Sequence, residues 1–285
     1  MSPADDGVPA PEPAPAPAAA PRARPARQPE WRSGRRTGAQ RGPTDAWTLV
    51  IPVKSPSRAK TRLAPEAGPD ERAALARAFA ADTVAVALAT PGVGRVLVVA
   101  DDPALAGAAE FVAEPEVRGL DPAIADGIAA AAGAPGAGAA PPTRVSRQSE
   151  WRAGRSSGAH PADAPPIGVL LGDLPALRAD DLASALEAAA RHPLAFVRDA
   201  DGTGTTLATA RGGVPFAPRF GPDSAARHAA AGFVELGASD MSSWPTLRRD
   251  VDTAAALVAA VALGVGPATA AELARLAASL PWLPR

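Results

Sequence analysis

The stretch IGVLLGDLPALR, residues 167–178, is an apolar run that ends at Gly172, Asp173 and Pro175. A short apolar run without polar alternation is typical of a strand buried on both faces of a parallel sheet. Gly172 allows a close approach of backbone or ligand, and Pro175 prevents the strand from continuing. The pattern predicts that Asp173 lies at the carboxyl end of a central strand, where open α/β sheets bind their ligands.

A carboxylate in that position suits a hard cation such as Mg²⁺, which binds one or two carboxylates together with substrate phosphates. The alternative is that Asp173 only caps a turn, because aspartate often does so. The stretch alone leaves both interpretations open.

Strands and helices alternate on both sides of this stretch. Upstream, a buried strand at 47–53, a helix at 70–90 capped by Asp70 and a buried strand at 95–100 form a βαβ unit. Further strands are predicted at 111–113, 194–197, 201–208, 233–236 and 247–252, with helices on either side of 111–113, at 180–192, at 224–231 and twice near the carboxyl terminus. This alternation predicts a three-layer α/β fold with a mostly parallel sheet.

Two stretches fall outside this pattern. Residues 1–45 are rich in Pro, Ala and Arg, and the segment at about 133–165 is rich in Pro, Gly and Ala. Neither composition buries enough apolar area to offset its ordering entropy, so both are predicted to be disordered. We therefore expect a tail at 1–45 and a single domain at 46–285 that carries a disordered insertion.

A short tryptophan-containing motif occurs at 27–35 and returns almost unchanged at 147–155. Two copies do not form a repeat array, which needs at least three stacked units. Both copies are interpreted as insertions, and docking of a partner by their tryptophans is the alternative.

Composition excludes several classes of function. The chain has 285 residues, 47% of them hydrophobic, which is enough for a substantial core. Its net charge of -1 gives no argument for a nucleic-acid or membrane partner, and the absence of cysteine excludes disulfides and thiolate chemistry. No apolar run approaches the length of a membrane span, and the first residues do not resemble a secretory signal. We therefore expect a cytoplasmic protein.

Four groups of chemically useful residues follow predicted strands: cations, a carboxylate, two segments of glycine and hydroxyl residues, and a carboxylate pair. They are Lys54, Lys60 and Arg62; Asp173; residues 202–206 and 221–224; and Asp250 with Asp252. Cations offset phosphate charge, while small residues let N–H and hydroxyl groups reach phosphate oxygens. Two carboxylates can hold a metal that bridges those oxygens. The combination predicts a polyphosphate site suited to phosphoryl or nucleotidyl transfer.

Each group also has a purely structural interpretation. The cations can form an ordinary solvated loop, and residues 202–206 can be only a hairpin turn, because the P-loop pattern is absent from the sequence. Asp250 and Asp252 can cap the helix that begins near Thr253, with Asp252 the better placed of the two. His228 lies on a predicted helix, where packing or an anion contact is favoured over a role as general base.

Six motifs, taken in order, resemble the CofC/FbiD family. They are IPVK at 51–54, KTRL at 60–63, GDLP at 172–175, GTGT at 202–205, FGPDS at 220–224 with His228 beyond it, and DVDT at 250–253. Members of this family are guanylyltransferases of deazaflavin coenzyme F(420) biosynthesis. The resemblance runs from about residue 47 to about residue 276. It implies a three-layer Rossmann-like nucleotidyltransferase fold, similar to that of the molybdenum-cofactor guanylyltransferases.

The resemblance implies a reaction in which the phosphate of phosphoenolpyruvate attacks the α-phosphorus of GTP and expels pyrophosphate; archaeal relatives use 2-phospholactate. It also implies a Mg²⁺ ion held by Asp173 and Asp250, with Asp252 close by. No general base is required, because the nucleophile is already a phosphate oxygen.

The substrate positions are carried over in the same way. Thr205, Gly221 and Ser224 match the residues that hold the phosphorylated three-carbon acid. The basic loop that binds the triphosphate and serves catalysis corresponds to Lys54, Lys60 and Arg62. Asp121 stands where family members usually have asparagine, in a region that faces the base, and a carboxylate can accept hydrogen bonds from guanine N1–H and its exocyclic amine.

The expected partners are GTP, phosphoenolpyruvate and a downstream phospholactate transferase that receives the unstable product. Within the same class, 2-phospholactate or 3-phosphoglycerate is the alternative acid, because such small differences carry little binding energy. From other classes, the alternatives are a catalytically silent nucleotide-binding scaffold and a nucleotide-sugar glycosyltransferase. Retention of both Asp173 and Asp250 counts against the scaffold.

Overall fold

The computed structural model describes residues 46–56, 60–63, 66–114, 118–133, 164–278 and 282. The tail predicted at 1–45 and nearly all of the insertion predicted at about 133–165 lie outside the described residues, and so do both copies of the tryptophan motif. Their predicted disorder therefore stays a prediction, as does the division of the chain into tail, domain and insertion.

Seven strands form one sheet in the described part of the chain. They are β1 Trp47–Pro52, β2 Val93–Ala100, β3 Glu110–Ala113, β4 Ile167–Leu170, β5 Leu194–Arg198, β6 Thr205–Ala210 and β7 Val234–Glu235. Their order is β3-β2-β1-β4-β6-β5-β7. Only β6 runs against its neighbours, pairing antiparallel with both β4 and β5. The prediction of a mostly parallel α/β sheet is confirmed.

The described helices lie between and after the strands. They are α1 Pro69–Ala89, α2 Leu120–Ala131, α3 Ala179–Ala189, α4 Ser224–Ala230, α5 Pro245–Arg248, α6 Ala254–Leu263 and α7 Pro267–Leu276, with short 3-10 helices at Thr61–Leu63 and Pro103–Ala106. Within the described ranges, every helix is too short or too polar to span a bilayer.

Alternating side chains of β1 separate the two faces of the sheet. Leu49 and Ile51 pack into a core with residues of α1 and α3, whereas Val50 joins residues of α2 and α4 on the opposite face. All six residues of β1 are buried. Because a strand alternates its side chains, a strand that is apolar throughout requires a helical layer on each side. The result is the predicted three-layer arrangement.

One predicted strand is wrong. Residues 247–252 begin in the short helix α5 and continue as irregular chain. Pro245 occupies the first turn of α5, where its fixed φ and missing N–H favour a helical start. The guanidinium of Arg248 is buried and donates to the carbonyl oxygens of Arg198 and Leu236 at 2.9 and 3.1 Å. These long-range bonds replace the ladder that a strand would have made.

The predicted cap of α1 is also wrong. The helix begins at Pro69, so Asp70 lies in its first turn and Gly68 is the N-cap residue. The Gly68 N–H donates to Glu71 Oε2 at 2.7 Å, which is the glutamate half of a capping box. Asp70 still carries a negative charge at the helix amino terminus, where the macrodipole favours it.

Candidate active site

A cleft of about 420 Å³ lies at the carboxyl ends of β1 and β4. It brings together nearly every residue that the sequence predicted to take part in chemistry. Those that line it are Lys54, Lys60, Arg62, Asp173, Thr205, Gly221, Ser224, Asp250 and Asp252. They come from five separate parts of the chain, so the fold assembles them at the sheet edge where ligands bind in α/β proteins.

Asp121 is the predicted site residue that does not line the cleft. It is exposed in the first turn of α2, and its neighbour Leu120 lines the cleft instead. Asp121 is thus next in sequence to a cleft residue, at the amino end of a helix that packs against β1.

Backbone contacts explain why Asp173 and the carboxylate pair meet. The Val251 N–H donates to the Asp173 carbonyl oxygen at 3.1 Å, which fixes the irregular segment after α5 against the end of β4. A Cβ at Gly172 would lie 3.0 Å from Val53 Cγ2, so glycine lets this loop approach the end of β1 closely without displacing the valine side chain. Asp173 is held by packing from both neighbouring segments.

Lys60 is the cation at the centre of the cleft. Its side chain is 6% exposed, and its ammonium pairs with Asp173 and with Asp252 Oδ1, the latter at 3.1 Å. Burial acts to lower the pKa of Lys60, but the Asp173 and Asp252 carboxylates outweigh it and raise that pKa. Lys60 therefore stays charged. Lys54 and Arg62 are exposed at the rim, and Arg62 lies 3.9 Å from Asp252 Oδ2.

The carboxylates outnumber the buried cations in this cleft. Burial, followed by the Asp173 and Asp252 carboxylates, raises the pKa of Asp250 to about 8. Burial also opposes ionisation of Asp252, but the Lys60 ammonium lowers its pKa overall. Asp173 Oδ1 is buried without a hydrogen-bond partner. An orphaned carboxylate oxygen beside a carboxyl group that resists ionisation fits a site for an additional positive charge.

A divalent cation would satisfy that need through Asp173 and Asp250. No group of three or more acidic, histidine or cysteine side chains in the described part of the chain is arranged to hold a metal by itself. The fit to Mg²⁺ rests on the two carboxylates alone, because this ion commonly takes one or two carboxylates and completes its shell with water and substrate phosphates.

The loop between β5 and β6 forms a second wall of the cleft. Asp199 Oδ1 accepts from the Thr203 N–H at 3.0 Å, and Oδ2 accepts from the Gly204 N–H at 2.8 Å. A Cβ at Gly204 would overlap the Asp199 carboxylate, so only glycine fits there. Residues 202–204 lie in the turn of the β5–β6 hairpin, and Thr205 begins β6, so the strand predicted at 201–208 starts four residues later than expected. The same hairpin lines the cleft.

Asp199 is a cleft residue that the sequence reasoning missed. It is 8% exposed and follows β5 directly. The signal that singled out Asp173, a carboxylate just beyond a buried strand, was present here too. What the sequence does not indicate is that this carboxylate accepts from the Thr203 and Gly204 N–H groups and so orders the turn.

The third wall is the turn that enters α4. Gly221 has φ of +100°, and a Cβ there would lie 2.9 Å from the Arg227 guanidinium. Beneath this turn, His228 is fully buried and its ring lies against Phe196, Phe220 and Phe233. Burial lowers the pKa of His228 to about 4. The imidazole is therefore neutral and packed, in agreement with the interpretation that did not assign it as a base.

The contents of the cleft suit one class of reaction. Cations, paired carboxylates and glycine-rich turns face one another across a space open to solvent. Such a site aligns and neutralises two anionic reactants. On a mostly parallel α/β sheet, this arrangement defines a nucleotidyltransferase.

Comparison with known proteins narrows the class. No protein-family model matches the chain. A phosphoenolpyruvate guanylyltransferase from Thermomonospora curvata is 48% identical over 82% of this chain and 92% of the relative. Relatives of the same name from Sanguibacter keddieii and Streptomyces avermitilis are 46% and 45% identical, each over 81% of this chain and over 85% and 95% of their own lengths. The chain belongs to the phosphoenolpyruvate guanylyltransferase family, which confirms the resemblance to guanylyltransferases seen in its motifs.

A solved structure supports the fold independently. A protein described as a nucleotide-diphospho-sugar transferase from Desulfovibrio desulfuricans G20 superposes with a TM-score of 0.52 at 18% identity, covering 83% of this chain and 97% of its own. At that identity the likeness concerns the fold alone. It agrees with a nucleotidyltransferase-like α/β sheet.

Proposed function

We propose that this chain transfers GMP from GTP to the phosphate of phosphoenolpyruvate, giving enolpyruvyl-diphospho-5'-guanosine and pyrophosphate. The observation that carries the proposal is that a wall of glycine and hydroxyl residues and a cluster of cations and carboxylates line the same cleft. Thr205, Gly221 and Ser224 line one wall, and the Lys60 ammonium with its acidic partners lies in the same cleft. The names of the relatives support the identity of both substrates.

The reaction needs alignment more than proton transfer. A phosphate oxygen of phosphoenolpyruvate forms a bond to the α-phosphorus of GTP, and the bond from that phosphorus to the bridging oxygen of the β-phosphate breaks. Because the nucleophile is an anion at neutral pH, no general base is required. Lys60 neutralises charge inside the cleft, while Lys54 and Arg62 neutralise the triphosphate from the rim.

The acidic residues have two roles in this proposal. Asp173 and Asp250 would hold a Mg²⁺ ion, which supplies positive charge to the phosphates that it binds. Asp252 instead pairs with Lys60 and Arg62, so it orients the cations that face the triphosphate. The unpartnered oxygen of Asp173 supports this division.

The cellular setting is proposed on the same basis. The product joins enolpyruvate to guanosine through a single diphosphate, and such an activated acid is suited to transfer onto an acceptor. We therefore place the reaction in F(420) coenzyme biosynthesis in the cytoplasm, with handover to a downstream phospholactate transferase. Asp121 contacts guanine in this proposal, and its position next to the cleft residue Leu120 supports that role.

Pyrophosphate release tests the reaction directly. The full chain is incubated with GTP, Mg²⁺ and, in turn, phosphoenolpyruvate, 2-phospholactate or 3-phosphoglycerate, with the downstream transferase present to trap product. We expect release with phosphoenolpyruvate and GTP, and little with ATP or without metal. Release with a different acid would replace the proposed acceptor. No release with any acid would reject the enzyme in favour of a nucleotide-binding scaffold.

A further inference from the structure

His228 makes three polar contacts although it is fully buried. Its Nε2 lies 2.9 Å from the backbone nitrogen of Arg219. Its Nδ1 lies 2.8 Å from the carbonyl oxygen of Ser224 and 3.0 Å from Thr205 Oγ1. Two of these partners, Thr205 and Ser224, line the cleft, whereas His228 does not.

The partners determine where the imidazole carries its proton. A backbone N–H only donates, so Nε2 must accept from Arg219. A backbone carbonyl only accepts, so Nδ1 must carry the hydrogen that Ser224 receives. A neutral imidazole has one N–H, and both contacts require it on Nδ1.

This assignment fixes the direction of the Thr205 hydroxyl. An Nδ1 that carries a hydrogen has no free lone pair, so Thr205 Oγ1 can only accept, and it shares this one hydrogen with the Ser224 carbonyl oxygen. The hydrogen of the Thr205 hydroxyl is then available to a group in the cleft. With the opposite tautomer, Thr205 would donate to the ring and present only lone pairs, which repel an anion.

We propose that His228 is a positioning residue that makes the Thr205 hydroxyl a hydrogen-bond donor to the phosphorylated acid. The relay runs from the Arg219 amide through the imidazole to Thr205, and the acid receives the last hydrogen bond. This inference rests on the proposed function, because it assumes that Thr205 faces that acid.

The surroundings of the ring keep the relay in this state. Phe196 stacks on the imidazole with ring centres 5.5 Å apart, and Phe220 and Phe233 contact it edge-on at 5.2 and 4.9 Å. Burial lowers the pKa of His228 to about 4, and the nearby Arg227 and Arg219 charges act in the same direction. The ring is neutral at working pH and is prevented from rotating.

The first experiment reads the tautomer directly. Nitrogen-15 NMR of the full chain in the absence of substrate is compared with His228→Gln, which identifies the His228 signals among three histidines. We expect a protonated Nδ1 and an unprotonated Nε2 at neutral pH. A proton on Nε2 would overturn the relay, whatever the substituted variants do.

Kinetics test whether the relay serves the acid. His228→Asn keeps an amide N–H near the position of Nδ1, whereas His228→Gln does not. We expect His228→Gln and Thr205→Val each to raise KM for phosphoenolpyruvate roughly ten- to hundred-fold, with KM for GTP within about twofold. The Asn variant should recover most of the loss, and the double variant should be no worse than either alone.

The outcomes separate the relay from the proposed function. An unchanged KM in Thr205→Val would show that the acid does not bind there, so the proposed subsite itself would fail. A raised KM in Thr205→Val with none in His228→Gln would overturn only the relay. Equal losses in the Asn and Gln variants would also overturn it. His192→Gln, after α3 and outside the cleft, is the matched histidine control.

Discussion

Asp173 has two roles in the cleft, and both depend on its negative charge. It pairs with Lys60 through one carboxylate oxygen and leaves the other buried without a partner. Replacing Asp173 with Asn keeps the shape of the side chain but removes the charge that a divalent cation needs. We expect turnover to fall at least about a hundred-fold. We expect little change in melting temperature, because the lost pairing with Lys60 is offset by weaker electrostatic repulsion between residue 173 and the Asp250 carboxyl.

The matched control is Asp201→Asn, since Asp201 is exposed and pairs with Arg249 outside the cleft. Pyrophosphate release and thermal unfolding are measured on both variants. Turnover of Asp173→Asn at the wild-type rate would remove Asp173 from the proposed metal site.

Ser224 is expected to act on one substrate only. It is buried at the first position of α4 and lines the cleft on the wall that holds the three-carbon acid. Ser224→Ala removes one hydroxyl, so we expect KM for phosphoenolpyruvate to rise about ten-fold and KM for GTP to change little. Ser242→Ala, on an exposed serine bonded to Asp240, is the control. An equal rise in both KM values would mean that Ser224 lies in another subsite.

The individual site residues were predictable, but their contacts were not. Asp173 was found because it ends a buried apolar run, and Lys60 because it follows one. Nothing in the sequence indicates that these two side chains pair, since 113 positions separate them. The resemblance alone places Asp121 near the base; in the structure it lies in the first turn of α2, next to the cleft residue Leu120, and its contact with guanine stays a prediction.

At the scale of elements, α1 and α7 are joined by a buried carboxylate. Asp82 on α1 is 4% exposed and accepts from the Ala268 and Thr269 N–H groups at 3.0 and 2.8 Å. It satisfies two orphan donors in the first turn of α7, as an N-cap residue would. We expect Asp82→Ala to lower the free energy of unfolding by about 2 kcal/mol, since capping and burial both contribute.

Urea unfolding measures this loss of unfolding free energy. The control is Asp180→Ala, at the exposed start of α3. We expect the control to lower the free energy of unfolding by less than about 1 kcal/mol. At urea concentrations below its unfolding transition, Asp82→Ala should keep its activity, because Asp82 does not line the cleft. A loss no larger than that of the control would show that α7 does not depend on Asp82 for its cap.

Elements with continuous or periodic apolar patterns were predictable, and those set by distant contacts were not. The apolar runs at 47–53 and 167–171 predict the two central strands, β1 and β4, with bounds correct to within a few residues. Residues 247–252 alternate like a strand, yet Pro245 starts a helical turn and Arg248 bonds to the ends of β5 and β7. Because those carbonyls come from other parts of the chain, no local pattern could indicate them.

At the scale of the whole molecule, the buried imidazole couples stability to pH. The unfolded chain has a histidine pKa near its ordinary value of 6.5, whereas burial lowers the pKa of His228 to about 4 in the folded protein. Between these values the unfolded state binds a proton that the folded state does not. Stability therefore falls as the pH is lowered through 6.5 toward 4.

Asp250 contributes with the opposite sign, because its folded pKa of about 8 means that the folded state retains a proton that the unfolded state loses as pH rises. The two contributions are separated by comparing variants rather than single pH values. In His228→Leu the imidazole no longer contributes to the pH dependence of stability, whereas Asp250 still does. The difference in slope between the wild type and the variant therefore belongs to His228.

From pH 7 to pH 5 we expect the wild type to lose about 2 kcal/mol more unfolding free energy than His228→Leu, as the two pKa values of the imidazole require. Urea titrations at several pH values measure this difference even if the variant is less stable throughout. The same titrations on His192→Leu, which removes a partly buried histidine after α3, serve as the control for loss of a histidine. Parallel slopes for the wild type and His228→Leu would mean that the imidazole is not buried as a neutral ring. The donor assigned to Thr205 would then lose its physical basis, because that assignment requires the same uncharged histidine.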